Sequence, residues 1–324
     1  MDEATPGESK RTASTQTSGA PPPFGSRFLT PSRSVWEQNA WDHVPPPDDQ
    51  GERIALSLER QRASRVSDAD RNRYNARPEK YWDAFYRLNQ GNFFKDRKWL
   101  HLEFPELFQA TREDAGEVTV WEPGCGVGNA LFPLVQENEN DQLKLVGCDY
   151  SKKAIEVVHA NPLYHPPKGS LHAQVWDLAS PLGLPESIPP GSVDIVLLIF
   201  VLSALHPDEW TRALANIWTA LKPSGLVLIR DYGRHDLTQL RFRTNRLMEE
   251  NLYVRGDGTR VYFFELGELG GLAQTQSPLP PAYPLPPHPL FSAQQLGIDR
   301  RLLVNRKRQL KMYRVWVQAK FCKL

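Results

Sequence analysis

The 324-residue sequence predicts a Rossmann-like, doubly wound α/β sheet, mostly parallel, with a late antiparallel edge strand. Three observations carry that prediction. Strand-length apolar runs alternate with helix-length runs between residues 118 and 231. The run Val193 to Ile199 is nearly all apolar, as a strand buried on both faces should be. A glycine loop, Gly124-Cys125-Gly126-Val127-Gly128, follows the first strand and opens a helix.

Residues 1–23 are Ser, Thr, Pro, Gly and Ala with scattered charge, and read as a disordered tail. Residues 24–112 form an N-terminal extension. Phe24, Phe28, Leu29, Val35, Trp36 and Trp41 interrupt its polar background, and the tryptophans are expected to dock on the main domain or on a partner. Pro45-Pro46-Pro47 breaks the chain. Residues 51–66 read as a basic helix and residues 79–90 as a second, where Trp82, Phe85 and Tyr86 share a face at i, i+3, i+4 spacing. The main domain spans 113–324. Its first strand, Val118 to Glu122, leads through the glycine loop to a helix ending near Glu137. Leu143 to Cys148 is the second strand, closed by Asp149, and Ser151 caps the following helix, which Asn161-Pro162 ends. Leu171 to Trp176 is the third strand, closed by Asp177, and Val193 to Ile199 is the fourth. A helix from about Pro207 to Leu221 and the turn Lys222-Pro223-Ser224-Gly225 lead to the fifth, Leu226 to Ile229.

Beyond Asp231 the rhythm changes. Residues 235–250 read as an Arg-rich helix. Leu252 to Val254 and Thr259 to Phe264 flank Gly256-Asp257-Gly258, a hairpin signal. Seven prolines from Pro278 to Pro289 exclude a regular helix and mark an insertion or loop. Met312 to Phe321 alternates again and is expected at the far edge of the sheet.

Composition sets outer limits. With 39 Lys+Arg against 38 Asp+Glu the net charge is +1, which excludes a globally basic nucleic-acid coat but not a local basic face. Three cysteines, none in a Cys-x-x-Cys pair, point to a reducing compartment and away from structural zinc. No histidine spacing suggests a metal site. The longest apolar run, Ile195 to Leu202, is far short of the roughly 20 residues of a membrane helix. The N-terminus lacks the features of a secretory signal or a mitochondrial presequence, so cytoplasm is the expected location, with the nucleus as second option.

The chemistry concentrates at the strand ends. The loop spacing is G-x-G-x-G with Asn129 in place of the third dinucleotide glycine, which favours S-adenosylmethionine (SAM) over NAD. Gly124, Gly126 and Gly128 let a cofactor approach the backbone. Asp149 can accept hydrogen bonds from ribose hydroxyls and Asp177 one from the adenine amino group. Asp231 follows the fifth strand. A ring nitrogen such as cytosine N3 needs no base to attack a sulfonium methyl, but a carboxylate would favour the cationic product, so Asp231 is the catalytic candidate. An ion pair with Arg230, Arg234 or Arg260 is its alternative role. His206 reads as a helix cap rather than a base.

Basic residues cluster after the sheet core. Seven arginines and five acids lie between Arg230 and Arg260, and nine Lys or Arg with no acid lie from Arg300 to Leu324. Beside a SAM pocket they suggest a surface that tracks an RNA backbone. The candidate phosphate contacts are Arg230, Arg234, Arg241, Arg243, Arg255, Arg260, Arg306, Lys307 and Arg308, with Arg27 in the extension.

These residues resemble the tRNA 3-methylcytidine methyltransferase family. The matching stretches are Tyr81 to Tyr86, Asn92 to Arg97, the glycine loop with Asn129, Cys148 to Ser151, Leu198 to Ala204 with His206-Pro207, Arg230 to Gly233, and Tyr253 to Arg260 running into Tyr262-Phe263-Phe264. Phe24 to Leu29 with Asn39 to Asp42, and Asp299 to Leu302 with Met312 to Trp316, resemble the cytosolic branch acting on threonine and some arginine tRNAs. The resemblance implies a class I SAM-dependent methyltransferase fold with an N-terminal tRNA-binding region that also forms a cofactor lid. It implies that Trp82, Tyr86, Gly124, Asp149, Asp177, Leu178 and Ile199 surround the cofactor. It implies methylation of cytidine N3 at position 32 of the anticodon loop, with serine tRNAs a further option. An aminoacyl-tRNA synthetase or another tRNA-recognition protein is a candidate partner. Two departures are visible: Pro123 precedes the first glycine where Val or Ala is usual, and the Pro-rich run stands where the family has a helix between hairpin and last strand. The competing readings are a protein or small-molecule methyltransferase and a non-catalytic tRNA-binding adaptor.

Overall fold

A computed structural model describes residues 15–17, 25, 27–274 and 289–324. The N-terminal part contributes β1 (Thr15–Thr17), β2 (Ala40–Asp42) and helices α1 (Gln50–Arg62), α2 (Asp68–Ala76), α3 (Pro78–Asn89), α4 (Leu100–Glu103) and α5 (Pro105–Ala110). The alternating part follows as β3 (Val118–Pro123), α6 (Leu131–Gln136), β4 (Leu143–Asp149), α7 (Lys152–His159), β5 (Ser170–Val175), β6 (Val193–Ile199), α8 (Pro207–Ala220) and β7 (Leu221–Tyr232). The last part is α9 (Leu237–Leu240), β8 (Leu247–Glu249), β9 (Leu252–Val254), β10 (Arg260–Tyr262), α10 (Leu266–Gln274), β11 (Phe291–Asn305) and β12 (Leu310–Lys323).

The main sheet has the order β1-β11-β12-β7-β6-β3-β4-β5, with β2 also on β11. Its five middle-to-edge strands β7, β6, β3, β4 and β5 are parallel, and β12 runs antiparallel to β7. The order reverses between β3 and β6, so the crevice for a ligand opens there, outside the carboxyl ends. Successive side chains of each strand feed two different cores. Val120 of β3 and Ile195, Leu197 and Ile199 of β6 pack with α5, α6 and α7; Trp121, Val196 and Leu198 pack with α8 and α10. This alternation is why the middle strands read as continuous apolar runs.

Four expectations require correction. Thr15–Thr17, read as part of a disordered tail, form β1 against Gln295–Gly297 of β11. Residues 235–250 are not one helix. Asp236 caps only the short α9, and its other oxygen accepts from Arg314 and from the Val315 N–H. Asn245 then turns with a positive φ, and Leu247 pairs with Tyr253 in a small sheet β10-β9-β8. The late strand is not at the far edge: β12 lies between β7 and β11. A helix, α10, does stand between the hairpin and the last strands, upstream of the Pro-rich run. Most of that run lies outside the described residues.

The tryptophans of the extension dock on the molecule itself. Trp41 is fully buried against Leu302 and Val304, and its indole N–H donates to the Val35 carbonyl. Lys311 lies 5.5 Å from the Trp36 ring. Leu100, Phe104 and Leu107, from the segment before residue 113, are fully buried in the core beneath β3 and β4.

Candidate functional site

The carboxyl ends of β3, β4, β5 and β6 and the helix α3 enclose a cavity of about 430 Å³. Its floor is the glycine loop. A Cβ on Gly126 (φ 54°) would sit 2.6 Å from the Tyr86 hydroxyl, so only glycine lets α3 close on the loop. Asp149, at the end of β4, is buried; its two oxygens accept from the Gly126 N–H at 2.9 Å and the Ser151 N–H at 2.8 Å. Burial pushes its carboxyl up to about 6, against the pull of those two backbone donors. Asp177 at the next strand end accepts from the Ala179 N–H, and burial raises it as well.

The wall opposite β4 is α3. Trp82 stacks on Tyr86 with ring centroids 5.7 Å apart, and both line the cavity. Asp83 on the same helix anchors it. One carboxylate oxygen accepts from the Ser151 hydroxyl at 2.7 Å and from the Lys153 N–H at 3.1 Å, at the start of α7. Tyr81 occupies the space where a Cβ on Gly258 (φ 85°) would lie, which ties the far side of α3 to the turn between β9 and β10.

Of the expected cofactor residues, Trp82, Tyr86, Gly124, Gly126, Asp149, Asp177, Leu178 and Ile199 all line this cavity. Gly128 does not. Its missing Cβ leaves room for the Phe132 ring, so it serves packing rather than ligand contact. Asp231 also needs correction. It is fully buried, absent from the cavity wall, and its oxygens accept from the Ser203 N–H at 2.9 Å and the Tyr232 N–H at 2.8 Å. Burial pushes it up to about 6. It ties the loop after β6 to β7 and does not stand on the cavity wall where the sequence reading expected it.

The second half of the cavity was not legible from sequence. Phe200 follows β6 with φ 60°, a strained value for a bulky residue, and its N–H donates to the Arg230 carbonyl. Its ring lies 4.8 Å from that of Tyr232, with Arg97 5.2 Å above Phe200 and Arg255 5.5 Å from Tyr232. Arg314 and Trp316 of β12 complete this side. Glu122 at the end of β3 lines the cavity, its Oε2 buried without a partner, and burial pushes it up to about 8 although Arg97 pulls the other way. A carboxylate before the glycine loop, and an aromatic residue directly after the fourth strand, were the available signals for Glu122 and Phe200.

The basic candidates separate into three groups. Arg230 and Arg260 are buried and leave the list. Arg230 is ion-paired with Asp299, bonded to Gln318 and packed between Trp99 and Trp316; Arg260 pairs with Glu209 at 2.9 Å. Neither can reach a phosphate without leaving its buried position and breaking its ion pair. Arg27 pairs with Asp42 at 3.3 Å, Arg234 with Glu265 and Glu250, and Arg255 lies at the cavity mouth. Arg241 and Arg243 are exposed, as are Arg306, Lys307 and Arg308 in the turn between β11 and β12. His206 caps α8, accepting from the Asp208 N–H at 3.3 Å. Among the described residues, no group of three or more His, Cys, Asp or Glu could hold a metal, and no helix is long and apolar enough to cross a membrane.

Comparison with known proteins agrees with this geometry. Residues 121–227 match a family model described as a methyltransferase domain. A tRNA N(3)-methylcytidine methyltransferase of Schizosaccharomyces pombe is 47% identical over 93% of this chain and 92% of its own length. A human tRNA N(3)-cytidine methyltransferase is 36% identical over 93% of both chains. A Saccharomyces cerevisiae tRNA(Thr) (cytosine(32)-N(3))-methyltransferase is 48% identical over 92% of this chain, which spans 45% of that protein's length. A crystal structure of a Pyrococcus horikoshii protein shares the fold, with a TM-score of 0.50 at 15% identity over 74% of this chain and 99% of that one.

Proposed function

Since the chain belongs to the tRNA N(3)-methylcytidine methyltransferases, we propose that it methylates N3 of cytidine 32 in the anticodon loop of threonine tRNAs, with SAM as methyl donor. Arginine and serine tRNAs are the next substrates to test. The observation that carries this reading is a divided cavity: one half has strand-end carboxylates and a glycine floor, the other has aromatic rings and arginines.

The first half fits SAM. Asp149 would accept from the ribose hydroxyls and Asp177 from the adenine amino group, with Trp82 and Tyr86 covering the cofactor from α3; all four line the cavity. SAM contributes an electrophilic methyl on a positively charged sulfur.

The second half suits a base turned out of the loop stack. Phe200 and Tyr232 offer ring faces for stacking, worth about 1–3 kcal/mol per base. Cytosine N3 carries its own lone pair, so no protein base is needed. The residues orient the ring, exclude water and hold the two reactants together. The aromatic faces also suit the cation that N3 methylation produces. The remaining phosphate contacts we propose are Arg255 on the cavity wall and, outside it, Arg27, Arg234, Arg241, Arg243, Arg306, Lys307 and Arg308. A tRNA-recognition protein such as a synthetase is a candidate partner, and cytoplasm the proposed location.

The test is direct. Incubation with SAM and bulk tRNA, followed by nucleoside mass spectrometry, should yield 3-methylcytidine. Methyl transfer that survives digestion of the RNA, or none to tRNA under conditions where SAM binds, overturns the reading.

A further inference from the structure

The strand order fixes which way the cofactor runs. Asp177 stands just after β5 and Asp149 at the end of β4, and β3 is the next strand of the sheet. With adenine at Asp177 and ribose at Asp149, the methionine end of SAM lies towards β3 and the glycine loop. That end carries a sulfonium, an α-ammonium and an α-carboxylate. The charged groups at these three strand ends, Asp177, Asp149 and Glu122, are all acids, and an ionised acid repels a carboxylate.

Three arginines line the cavity. Two of them are engaged. Arg314 pairs with Asp236 at 2.8 Å, and Arg255 donates to the Thr259 hydroxyl and the Arg260 carbonyl, both at 3.4 Å. The third, Arg97, has neither an ion pair nor a side-chain hydrogen bond among the described residues. It is half-buried on the cavity wall rather than closed off, so a ligand in the cavity can reach it.

Arg97 stands at the glycine-loop end. Its N–H donates to the Asn129 carbonyl at 2.8 Å, and the Asn129 amide donates back to the Phe94 carbonyl at 3.4 Å and the Asp96 carboxylate at 3.3 Å. Asn129 directly follows Gly128, so this segment is stitched to the loop. The guanidinium lies 5.2 Å from the ring centroid of Phe200, just after β6, the strand on the other side of β3. Glu122 is the acid that acts on it most strongly. Burial pushes that carboxyl up to about 8, so it is mostly neutral at pH 7 and leaves the guanidinium without a counter-charge. A cation held away from water in this way is costly, and a bound anion relieves the cost.

We propose that Arg97 holds the α-carboxylate of SAM through the paired N–H groups of its guanidinium. The inference rests on SAM as the cofactor and not on which RNA is methylated.

Calorimetry with SAM and with decarboxylated SAM tests it, since the two compounds differ only in the α-carboxylate. Wild-type protein should bind the decarboxylated compound on the order of 30-fold more weakly. Arg97→Met keeps the length of the side chain and removes its donors. It should lose a similar factor on SAM and bind decarboxylated SAM at least as well as SAM, because the remaining acids favour the more positive ligand. Arg97→Lys, which keeps the charge, should retain part of the wild-type preference. Equal wild-type affinities for the two compounds overturn the proposal without any variant, so a misfolded mutant cannot obscure the answer. Arg97→Met protein that keeps the wild-type preference overturns it too, and a loss of tRNA affinity in that protein would give the guanidinium to an RNA phosphate instead. Failure of the underlying reading looks different: wild-type protein would bind neither compound.

Discussion

Asp149 has to carry charge where burial resists it. Its carboxyl sits at about 6 rather than 3.8. The sign for folding follows: the ligand-free protein draws stability from this group at low pH and loses it as pH rises through 6. Binding runs the opposite way, because only the ionised form is a strong acceptor for ribose hydroxyls. SAM affinity should therefore weaken as pH falls below 6, by up to about tenfold per pH unit. Calorimetry across pH 5 to 7.5 checks this; Asp149→Asn should bind weakly with a nearly flat profile. Asp231 gives a different expectation. Its oxygens face two backbone N–H donors, so Asp231→Asn sets an amide donor against one of them and should cost about 1–3 kcal/mol of stability. Chemical denaturation measures that. A variant with unchanged stability and cofactor affinity but slow single-turnover chemistry would restore the carboxylate to the reaction.

Helix α3 closes a ring of contacts. Asp83 bonds Ser151, Ser151 bonds Asp149, Asp149 bonds Gly126, and Gly126 lies under Tyr86 of the same helix. Asp83→Ala should open the ring and weaken SAM binding roughly fivefold, allowing for the partial exposure of Asp83. Asp83→Asn keeps an oxygen for both donors and should recover most of the loss; equal affinities in all three proteins would show that α3 closes without the clamp. Element legibility followed the same logic of partners. The parallel strands were readable because each carries its own apolar run. Strand β11 was not, because Asp299, Arg300 and Arg301 break its pattern. Asp299 and Arg301 are buried or nearly so among Arg230, Asp42 and Glu103, and no sequence period announces which charges will pair. Residues 235–250 misled for a related reason: their composition suits a helix, but Leu247 and Met248 are buried as strand residues. In the site, carboxylates at strand ends were visible from spacing. Trp316 and Phe200 were not, since their places depend on which strands become neighbours.

At the scale of the molecule, a net charge of +1 hides a directional arrangement. β12 first pairs with β7 at Trp316, so Leu310 to Val315 extends beyond the sheet's carboxyl edge, on the side of the cavity. At about 3.3 Å per residue this arm reaches roughly 20 Å and carries Arg306, Lys307 and Arg308 at its tip. Neutralising all three should make the slope of log tRNA affinity against log salt shallower by about two to three units. SAM affinity should stay at the wild-type value, because the tip lies outside the cavity. An unchanged slope would move the RNA contacts to the extension and the Arg234–Arg255 region.

The position of β12 has a consequence for how the chain comes to be folded. Every parallel strand has been translated by Tyr232, yet the long edge of β7 then waits for residues 316–322, which are translated much later. Until they arrive that edge offers unpaired N–H and carbonyl groups, a template for pairing with another nascent chain. Pairings so distant in sequence also close slowly. The protein's hazard during synthesis is thus a naked sheet edge.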